Sequence, residues 1–244
     1  MPDRKARPLL LGHRGVRPLP FLGLRWRKPD LPPENTLDAF DCALAHGCDG
    51  FEFDLRFTRD RRTLLHHDAD VKGQSVAATD HAMLERRIGY KMASLEDALL
   101  RFASAAWLDI ELKIAGEEET LVAALRACPP QRGFVVSSFL PDALLRLNEI
   151  DPSLPLGYIC DREDALRLWS GLPIKFFLPH QSLVSDLLVE EAHRRKMQLI
   201  TWTVNRREDM LRLASWGVDG LISDNPRLLS ETFPKPKSAK AASA

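Results

Sequence analysis

The sequence lacks the features that mark membrane-spanning, secreted or nucleic-acid-binding proteins. In 244 residues, 34 Lys and Arg balance 34 Asp and Glu, so the formal net charge is zero. A general nucleic-acid-binding protein carries a basic excess, and nucleic acid is therefore not expected as a partner. No apolar run approaches the roughly 20 residues that span a bilayer. The apolar stretch at residues 9–11 is too short for a signal peptide, and this predicts a cytoplasmic protein.

Cysteine is scarce and shows no functional spacing. The four cysteines are Cys42, Cys48, Cys128 and Cys160. None forms a CxxC pair, which excludes a zinc knuckle or a dithiol redox motif of that type. We expect these residues to be reduced thiols that pack in the interior.

Alternating short apolar segments and amphipathic segments run along the whole chain, and hydrophobic residues make up 45% of it. Strands are predicted at 9–13, 50–57, 107–113, 134–138, 154–159, 174–178, 198–204 and 218–223. Helices are predicted at 36–46, 95–103, 118–127, 141–149, 162–170, 185–196 and 207–214. Eight strands alternating with helices predict a (β/α)8 TIM barrel, an architecture that often occupies about 200–250 residues as one domain.

A single domain is predicted at 1–233, and two segments within it and a tail beyond it depart from this alternation. A short extra strand is predicted at 63–67, after a hairpin turn at 58–62. A loop at 16–33, rich in proline and bulky apolar residues, is inserted after the first strand. The tail at 234–244 is basic and rich in small residues, and we predict that it is disordered.

Carboxylates lie within otherwise apolar strands, at a spacing that places them on one face. Glu52 and Asp54 are two residues apart, and Glu111 stands in the next predicted barrel strand. The active site of such a barrel lies at the carboxyl ends of its strands. Three carboxylates that converge there repel one another unless a cation lies between them, and hard divalent cations bind such oxygens. The alternative is an internal network of ion pairs with Lys113 and Arg14.

Two histidines at strand ends suggest acid–base chemistry. His13 follows the first strand and His67 ends the extra strand, so that one is able to accept a proton while the other donates one. His66 should point the opposite way and is interpreted as structural. Arg14 and Lys113 supply cationic groups that suit a phosphate. Together these groups favour phosphoester chemistry.

At this point an ordered set of motifs resembles a known family, the glycerophosphodiester phosphodiesterases. The resemblance extends from about residue 10 to about residue 227, and the order and spacing of the motifs carry it. The motifs are Gly12-His13-Arg14-Gly15, Pro33-Glu34-Asn35-Thr36, Glu52-Phe53-Asp54-Leu55, His67-Asp68, Ser94-Leu95-Glu96-Asp97, Glu111-Leu112-Lys113, Ser137-Ser138-Phe139, Thr201-Trp202-Thr203-Val204-Asn205 and the segment 217–226.

The resemblance implies a TIM barrel that hydrolyses small-molecule glycerophosphodiesters to sn-glycerol 3-phosphate and an alcohol, with one divalent cation, Mg²⁺, Ca²⁺ or Mn²⁺. The roles that it implies are acid–base catalysis by His13 and His67, metal binding by Glu52, Asp54 and Glu111, phosphate contact by Arg14 and Lys113, metal binding or support of Arg14 by Glu34, and a wall beside the glycerol or leaving group formed by Trp202 and Phe139. For Phe139 a plain core position is an equal alternative.

Two departures from the family pattern leave alternatives open. The family usually joins its first two motifs by a few residues, whereas here the loop 16–33 intervenes. That loop is interpreted as a substrate clamp, a peripheral lipid contact, a partner surface or a fold over the barrel rim. The segment after His67-Asp68 is shorter than the usual insertion, which would leave the site open to a bulky leaving group.

Three further alternatives concern the reaction. One is lysophospholipase D-type cleavage of lysophospholipids, and another is a non-catalytic barrel that binds phosphodiesters. Within the hydrolase interpretation, either water or the 2-hydroxyl of the glycerol attacks the phosphorus, and the second route passes through a cyclic phosphate. The sequence does not choose between these routes, and it leaves the metal, the preferred alcohol and the oligomeric state undetermined.

Overall fold

The computed structural model describes residues 7–17 and 31–235, and these residues form a closed parallel barrel with helices on its outside. The strands are β1 Leu9–Gly12, β2 Gly50–Phe57, β3 Thr63–Leu65, β4 Asp70–Val71, β5 Gln74–Ser75, β6 Trp107–Leu112, β7 Phe134–Ser138, β8 Leu156–Cys160, β9 Phe176–Pro179, β10 Gln198–Thr201 and β11 Gly220–Ser223. The helices are α1 Leu37–Ala45, α2 His81–Ile88, α3 Leu95–Phe102, α4 Glu118–Ala127, α5 Pro141–Ile150, α6 Asp186–Arg194, α7 Arg207–Trp216 and α8 Pro226–Thr232.

Eight of the strands close the barrel through parallel pairing. Their order around it is β1, β2, β6, β7, β8, β9, β10, β11, and β1 pairs with both β2 and β11. The longest register joins β2 to β6, where Glu52 lies opposite Asp109 and Asp54 opposite Glu111. The predicted TIM barrel is therefore confirmed, and its register places the acidic residues of two strands side by side.

Strand alternation separates two apolar layers. Side chains inside the barrel form one cluster, which consists of Leu11, Val135, Ile159, Phe176, Leu178, Ile200 and Ile222. The opposite faces of the strands pack on the helices, as where Phe51 of β2 stacks on Phe40 of α1 at 4.1 Å between ring centroids. Because Phe51 and Phe53 face the helices, Glu52 and Asp54 face the barrel interior.

The predicted hairpin after β2 is also confirmed. The extra strand β3 pairs antiparallel with β2, with Phe57 opposite Thr63 and Leu55 opposite Leu65. It ends two residues earlier than predicted, so that His67 follows the strand instead of lying within it.

The helix predicted at 162–170 is wrong. The segment forms two short 3₁₀ turns, Ala165–Arg167 and Trp169–Gly171. Trp169 alone among the side chains of these two turns is buried, and it stacks on Phe177 at 4.8 Å. Ala165 and Leu166 are only partly buried against the core, so one buried aromatic side chain, and not a continuous buried apolar stripe, holds this segment on the strand layer.

Some elements were not predicted, namely the short hairpin of β4 and β5 and the helices α2 and α8. Helix α8 begins at Pro226 behind the Asn225 cap and has only seven residues, too few for a clear periodic pattern. The predicted loop 16–33 and tail 234–244 fall largely outside the described residues, at 18–30 and 236–244. Across the described ranges, no helix is both long enough and apolar enough to cross a membrane.

Candidate active site

At one end of the barrel, inward-facing side chains extend past the apolar cluster of the interior. Leu11, Leu178, Ile200 and Ile222 face the interior, so the residues two positions later face the mouth at the carboxyl ends of the strands. These positions hold His13, His180, Trp202 and Asp224, and Phe139 lies four residues after the inward-facing Val135 on the same side of its strand. Polar and aromatic groups from distant parts of the chain therefore meet at this end.

Three buried carboxylates form the centre of the site. One oxygen from each of Glu52, Asp54 and Glu111 lies within 4.8 Å of the others. Asn35 fixes Asp54 by donating from Nδ2 to Oδ2 at 2.8 Å and by accepting the Asp54 backbone N–H at 3.1 Å. The backbone N–H of Arg14 donates to Glu52 Oε2 at 2.8 Å. The cluster predicted from the two-residue spacing is therefore assembled in the structure.

Two cationic side chains border the cluster. Lys113 Nζ lies 2.6 Å from Glu111 Oε1 and 3.3 Å from Asp54 Oδ1. Arg14 Nε lies 3.1 Å from Asp54 Oδ2, and its Nη1 donates to Glu34 Oε1 at 2.7 Å. Both cations thus form the ion pairs of the alternative interpretation, at the same place as the carboxylate cluster.

The ion pairs do not satisfy the cluster. Glu52 Oε1 is buried and accepts no hydrogen bond from any described group, and Asp54 Oδ1 is buried with only the 3.3 Å ion pair to Lys113 Nζ. Burial raises the pKa of Glu111 to about 7, with repulsion from Asp54 adding to it. Burial also raises the pKa of Glu52, and the charges of Asp54 and Glu111 act in the same direction. Crowded carboxylates whose oxygens are not all hydrogen-bonded are the donor set that a hard divalent cation requires, so the residues present fit such an ion.

Asp54 differs from its neighbours because cations surround it. Burial by itself would raise its pKa, but Arg14, Lys113 and the Asn35 amide lower the pKa below its ordinary value. The carboxylate of Asp54 is thus the most readily ionised member of the cluster.

His13 is oriented by a carboxylate on the last barrel strand. Its Nδ1 lies 2.7 Å from Asp224 Oδ1, and its Nε2 lies 3.8 Å from Glu52 Oε2. Asn205 donates from Nδ2 to Asp224 Oδ2 at 2.7 Å and accepts the Asp224 backbone N–H at 2.9 Å. With Nδ1 bonded to a carboxylate, Nε2 is the nitrogen that faces the cluster.

His67 is oriented in the same way, but by an exposed partner. Its Nδ1 lies 2.8 Å from Asp68 Oδ1. The guanidinium of Arg56 donates to the His67 carbonyl oxygen from both Nε and Nη2, at 2.9 and 2.7 Å. Burial lowers the pKa of His67, and the nearby Asp54 and Asp68 oppose this shift. The neighbouring His66 bonds instead to the carbonyl oxygen of Asp70 at 3.0 Å.

Glu34 holds the two arginines at the rim. One carboxylate oxygen of Glu34 accepts the hydrogen bond from Arg14, and the other accepts one from Arg17 Nε. Arg17 Nη1 also lies 3.6 Å from Asp224 Oδ1. Glu34 does not belong to the carboxylate cluster. Of the two roles implied for it, this geometry favours support of Arg14.

The opposite side of the mouth is aromatic. Phe139 and Trp202 meet edge to face, with ring centroids 5.6 Å apart, and His180 meets Trp202 at 5.3 Å. Lys113 Nζ lies 5.8 Å from the centroid of Phe139. All three rings are half-buried, so they form a wall that faces the cavity and do not lie wholly in the core.

Asp109 is a fully buried carboxyl group beneath the cluster. Ser137 Oγ donates to its Oδ1 at 2.5 Å, and its Oδ2 has no partner among the described residues. Burial raises the pKa of Asp109 to about 8. In the unfolded chain this group has its ordinary pKa near 3.9. Its proton is therefore held by the folded state and released by the unfolded state between about pH 4 and pH 8.

This difference predicts a pH-dependent stability. The contribution of the protonated Asp109 to the free energy of unfolding is fully present below about pH 4. It is lost as the pH rises through about 8, and between these values the free energy falls by up to about 1.4 kcal/mol per pH unit. We expect that urea unfolding in excess chelator shows a steeper loss of stability between pH 5 and 8 for the wild type than for Asp109→Asn. Parallel stability curves for the two proteins would show that Asp109 is ionised in the folded state.

Comparisons with known proteins show the family to which the chain belongs. Residues 23–113 and 103–228 match the Glycerophosphoryl diester phosphodiesterase family. The chain belongs to this family. A glycerophosphodiester phosphodiesterase from Caldanaerobacter subterraneus subsp. tengcongensis is 27% identical to it over 220 residues, which are 81% of this chain and 90% of that protein.

Solved structures show the same fold for this member of the phosphodiesterase family. A glycerophosphodiester phosphodiesterase from Parabacteroides distasonis superposes with a TM-score of 0.77 at 20% identity, covering 93% of this chain and 97% of that one. A phosphodiesterase from Oleispira antarctica, solved in complex with the product sn-glycerol-3-phosphate, gives a TM-score of 0.77 at 22% identity, covering 94% and 98%.

Several residues at the site received no role from the sequence. Asp68, Asn35, Asn205 and Asp224 stand within the quoted motifs, but only the structure joins them to the histidines and to Asp54. His180 lies outside all the motifs. The period of two from Phe176 and Leu178 would have placed it inside the barrel, but the predicted strand ended at residue 178.

Proposed function

We propose that this protein hydrolyses glycerophosphodiesters to sn-glycerol 3-phosphate and an alcohol, using a divalent cation and a pair of histidines. The observation that carries the proposal is the buried carboxylate cluster of Glu52, Asp54 and Glu111, in which Glu52 Oε1 has no hydrogen-bond partner among the described residues, beside His13 Nε2. The relative from Caldanaerobacter subterraneus subsp. tengcongensis, named for this reaction, and the product in the Oleispira antarctica structure support the choice of substrate class.

Glu52, Asp54 and Glu111 would hold the cation, which we propose is Mg²⁺, Ca²⁺ or Mn²⁺. A bound divalent cation supplies positive charge that neutralises phosphate oxygens and stabilises the charge of the transition state. A set made only of carboxylate oxygens favours these hard ions over softer metals.

Arg14 and Lys113 would bind the phosphate from the sides of the cluster. Each is already held in place by carboxylates, Arg14 by Glu34 and Lys113 by Glu111. Because these side chains are fixed before the substrate arrives, little reorganisation is needed when negative charge develops on the phosphate oxygens.

His13 and His67 would move protons at their Nε2 atoms. Each histidine has its Nδ1 bonded to an aspartate, which orients the ring and stabilises its protonated form. One Nε2 would accept the proton of the attacking hydroxyl group, and the other would donate a proton to the departing alkoxide. Phe139 and Trp202 would form the wall against the glycerol or the leaving group.

Phosphorus NMR tests the proposal directly. We expect the purified protein to convert glycerophosphocholine to glycerol 3-phosphate in Mg²⁺, Ca²⁺ or Mn²⁺, and to stop doing so in excess chelator. Full activity in chelator would contradict the cation. Cleavage of lysophosphatidylcholine alone would contradict the substrate class and support lysophospholipase D chemistry. Binding of both diesters without turnover in any metal would support the non-catalytic barrel.

Three predictions about the chain as a whole stay proposals. The single domain at 1–233 is consistent with one barrel across the described residues. The cytoplasmic location, which depends on the short apolar run near the N-terminus, stays a prediction, as does peripheral lipid contact through the loop 16–33.

A further inference from the structure

We propose that His180 is a specificity-determining residue, whose Nε2–H donates a hydrogen bond to a terminal hydroxyl group of the substrate at the aromatic wall. The proposal rests on the proposed function, because it concerns the diester bound in that same mouth. No motif of the sequence includes His180, and the carboxylate and cation machinery does not involve it.

The position of His180 follows from the barrel register. Phe176 and Leu178 of β9 face the barrel interior, and His180 is the next residue of the same parity. It forms a parallel bridge with Trp202, and their rings lie 5.3 Å apart between centroids at 80°. In the strand order, β9 lies four positions from β2, so His180 faces the carboxylates from the opposite side of the mouth.

The backbone around His180 is tied to both neighbouring strands. Its N–H donates to the carbonyl oxygen of Cys160 at 2.7 Å. The N–H of Gln181 donates to the carbonyl oxygen of Trp202 at 2.8 Å, and Thr201 Oγ1 donates to that of Pro179 at 2.9 Å. A side chain on such a fixed base loses little conformational freedom when it binds a ligand.

The hydrogen bonds of the His180 imidazole show which ring nitrogen is available to a ligand. The backbone N–H of Ser182 donates to Nδ1 at 3.3 Å, and Ser182 Oγ lies 2.8 Å from the same nitrogen. Since Nδ1 accepts a hydrogen bond here, the neutral ring carries its hydrogen on Nε2. Nε2 has no hydrogen-bond partner in the described part of the chain, which leaves an N–H donor for a ligand.

No other ring of the wall offers a donor. The indole N–H of Trp202 is donated to the carbonyl oxygen of Leu178 at 2.9 Å, and Phe139 has no polar side-chain atom. The wall therefore presents two apolar ring surfaces and a single N–H. This combination suits a carbon chain that packs on Trp202 and bears a hydroxyl group, which is the chemistry of a polyol.

Two parts of a glycerophosphodiester have this chemistry, namely the glycerol and a polyol leaving group. Three substrates separate them. Glycerophosphoglycerol has hydroxyl groups at both ends, and glycerophosphocholine has them only on the glycerol. The phosphocholine ester of 1,2-propanediol keeps the 2-hydroxyl but lacks the terminal hydroxyl of glycerol.

The test compares KM and kcat of the wild type and His180→Ala for these three diesters in the activating metal. We expect KM to rise about 5- to 10-fold, the scale of one lost hydrogen bond, with kcat within about 2-fold. If the terminal hydroxyl of the glycerol is the ligand, KM rises for both glycerophosphodiesters and not for the propanediol ester. If the leaving group is the ligand, KM rises for glycerophosphoglycerol alone. His180→Gln, which keeps an N–H donor, should recover part of the loss.

The same three diesters serve for a control variant and for the results that would contradict the proposal. His46→Ala removes an exposed histidine at the end of α1, which lies at the opposite end of the barrel, and should change none of the values. Equal changes of KM for all three diesters, or no change for any, would overturn the proposal. Absence of wild-type turnover would contradict the proposed function instead. In that case, dissociation constants of the three diesters, measured by calorimetry for the wild type and His180→Ala, replace KM in the comparison.

Discussion

Replacement of His13 or His67 by alanine is expected to lower kcat/KM for glycerophosphocholine by at least about 100-fold, the usual scale for loss of a general acid or base. The two losses should be similar in size, because the reaction needs both a proton acceptor and a proton donor. Turnover is measured by phosphorus NMR at saturating metal. Near-normal activity in both variants would remove the histidines from the mechanism.

The aspartates behind the histidines give a more selective test. The pair of His13 and Asp224 is largely buried, with side chains 11% and 13% exposed, whereas those of His67 and Asp68 are 38% and 70% exposed. A buried carboxylate stabilises a protonated imidazole more strongly than a solvated one does. We therefore expect Asp224→Asn to cost about 10- to 100-fold in kcat and Asp68→Asn less than about 10-fold.

The contrast depends on the fold being intact in both variants. Asp224 also accepts the hydrogen bond from Asn205, and the amide of Asp224→Asn retains an oxygen acceptor for it. Circular dichroism and the midpoint of thermal unfolding should therefore stay close to those of the wild type. Equal losses of activity from Asp224→Asn and Asp68→Asn would show that burial of the carboxylate does not matter to these histidines.

The substitution Glu52→Gln is expected to have opposite effects on activity and on metal-free stability. Turnover should fall at least about 100-fold, because the cluster loses a charged ligand that stabilises the transition state through the bound cation. In excess chelator, the variant should melt at the same temperature as the wild type or higher. The physical reason is that burial and repulsion from Asp54 and Glu111 raise the pKa of Glu52, so its charge opposes folding.

Thermal unfolding with and without metal measures both effects. The wild type should gain melting temperature on addition of the activating metal, since an ion that binds only the folded state stabilises it. Glu52→Gln should lose most of that gain. The control Glu190→Gln, on the exposed face of α6, should keep it. An unchanged gain in Glu52→Gln would show that the metal binds elsewhere.

The barrel was predictable because its signals are local. The strands β2 and β7 and the helix α4 have the predicted bounds, since each is a short run with a clear period and marked ends. The helix predicted at 162–170 was wrong because only Trp169 of its apolar residues is buried, while Ala165 and Leu166 are partly buried. Only the packed structure determines whether an apolar face is covered, as it is at Trp169.

The sequence by itself determined the barrel, the inward direction of Glu52, Asp54 and Glu111, and the placement of His13 and Lys113 at strand ends. These follow from a period of two within single strands and from the rule that parallel strands share one end. The tertiary structure alone decided which groups meet across the mouth. Asp224 lies 211 residues from His13 in the chain, and His180 lies against Trp202. Closure of the barrel creates these contacts, because it brings β11 beside β1 and places β9 opposite β2.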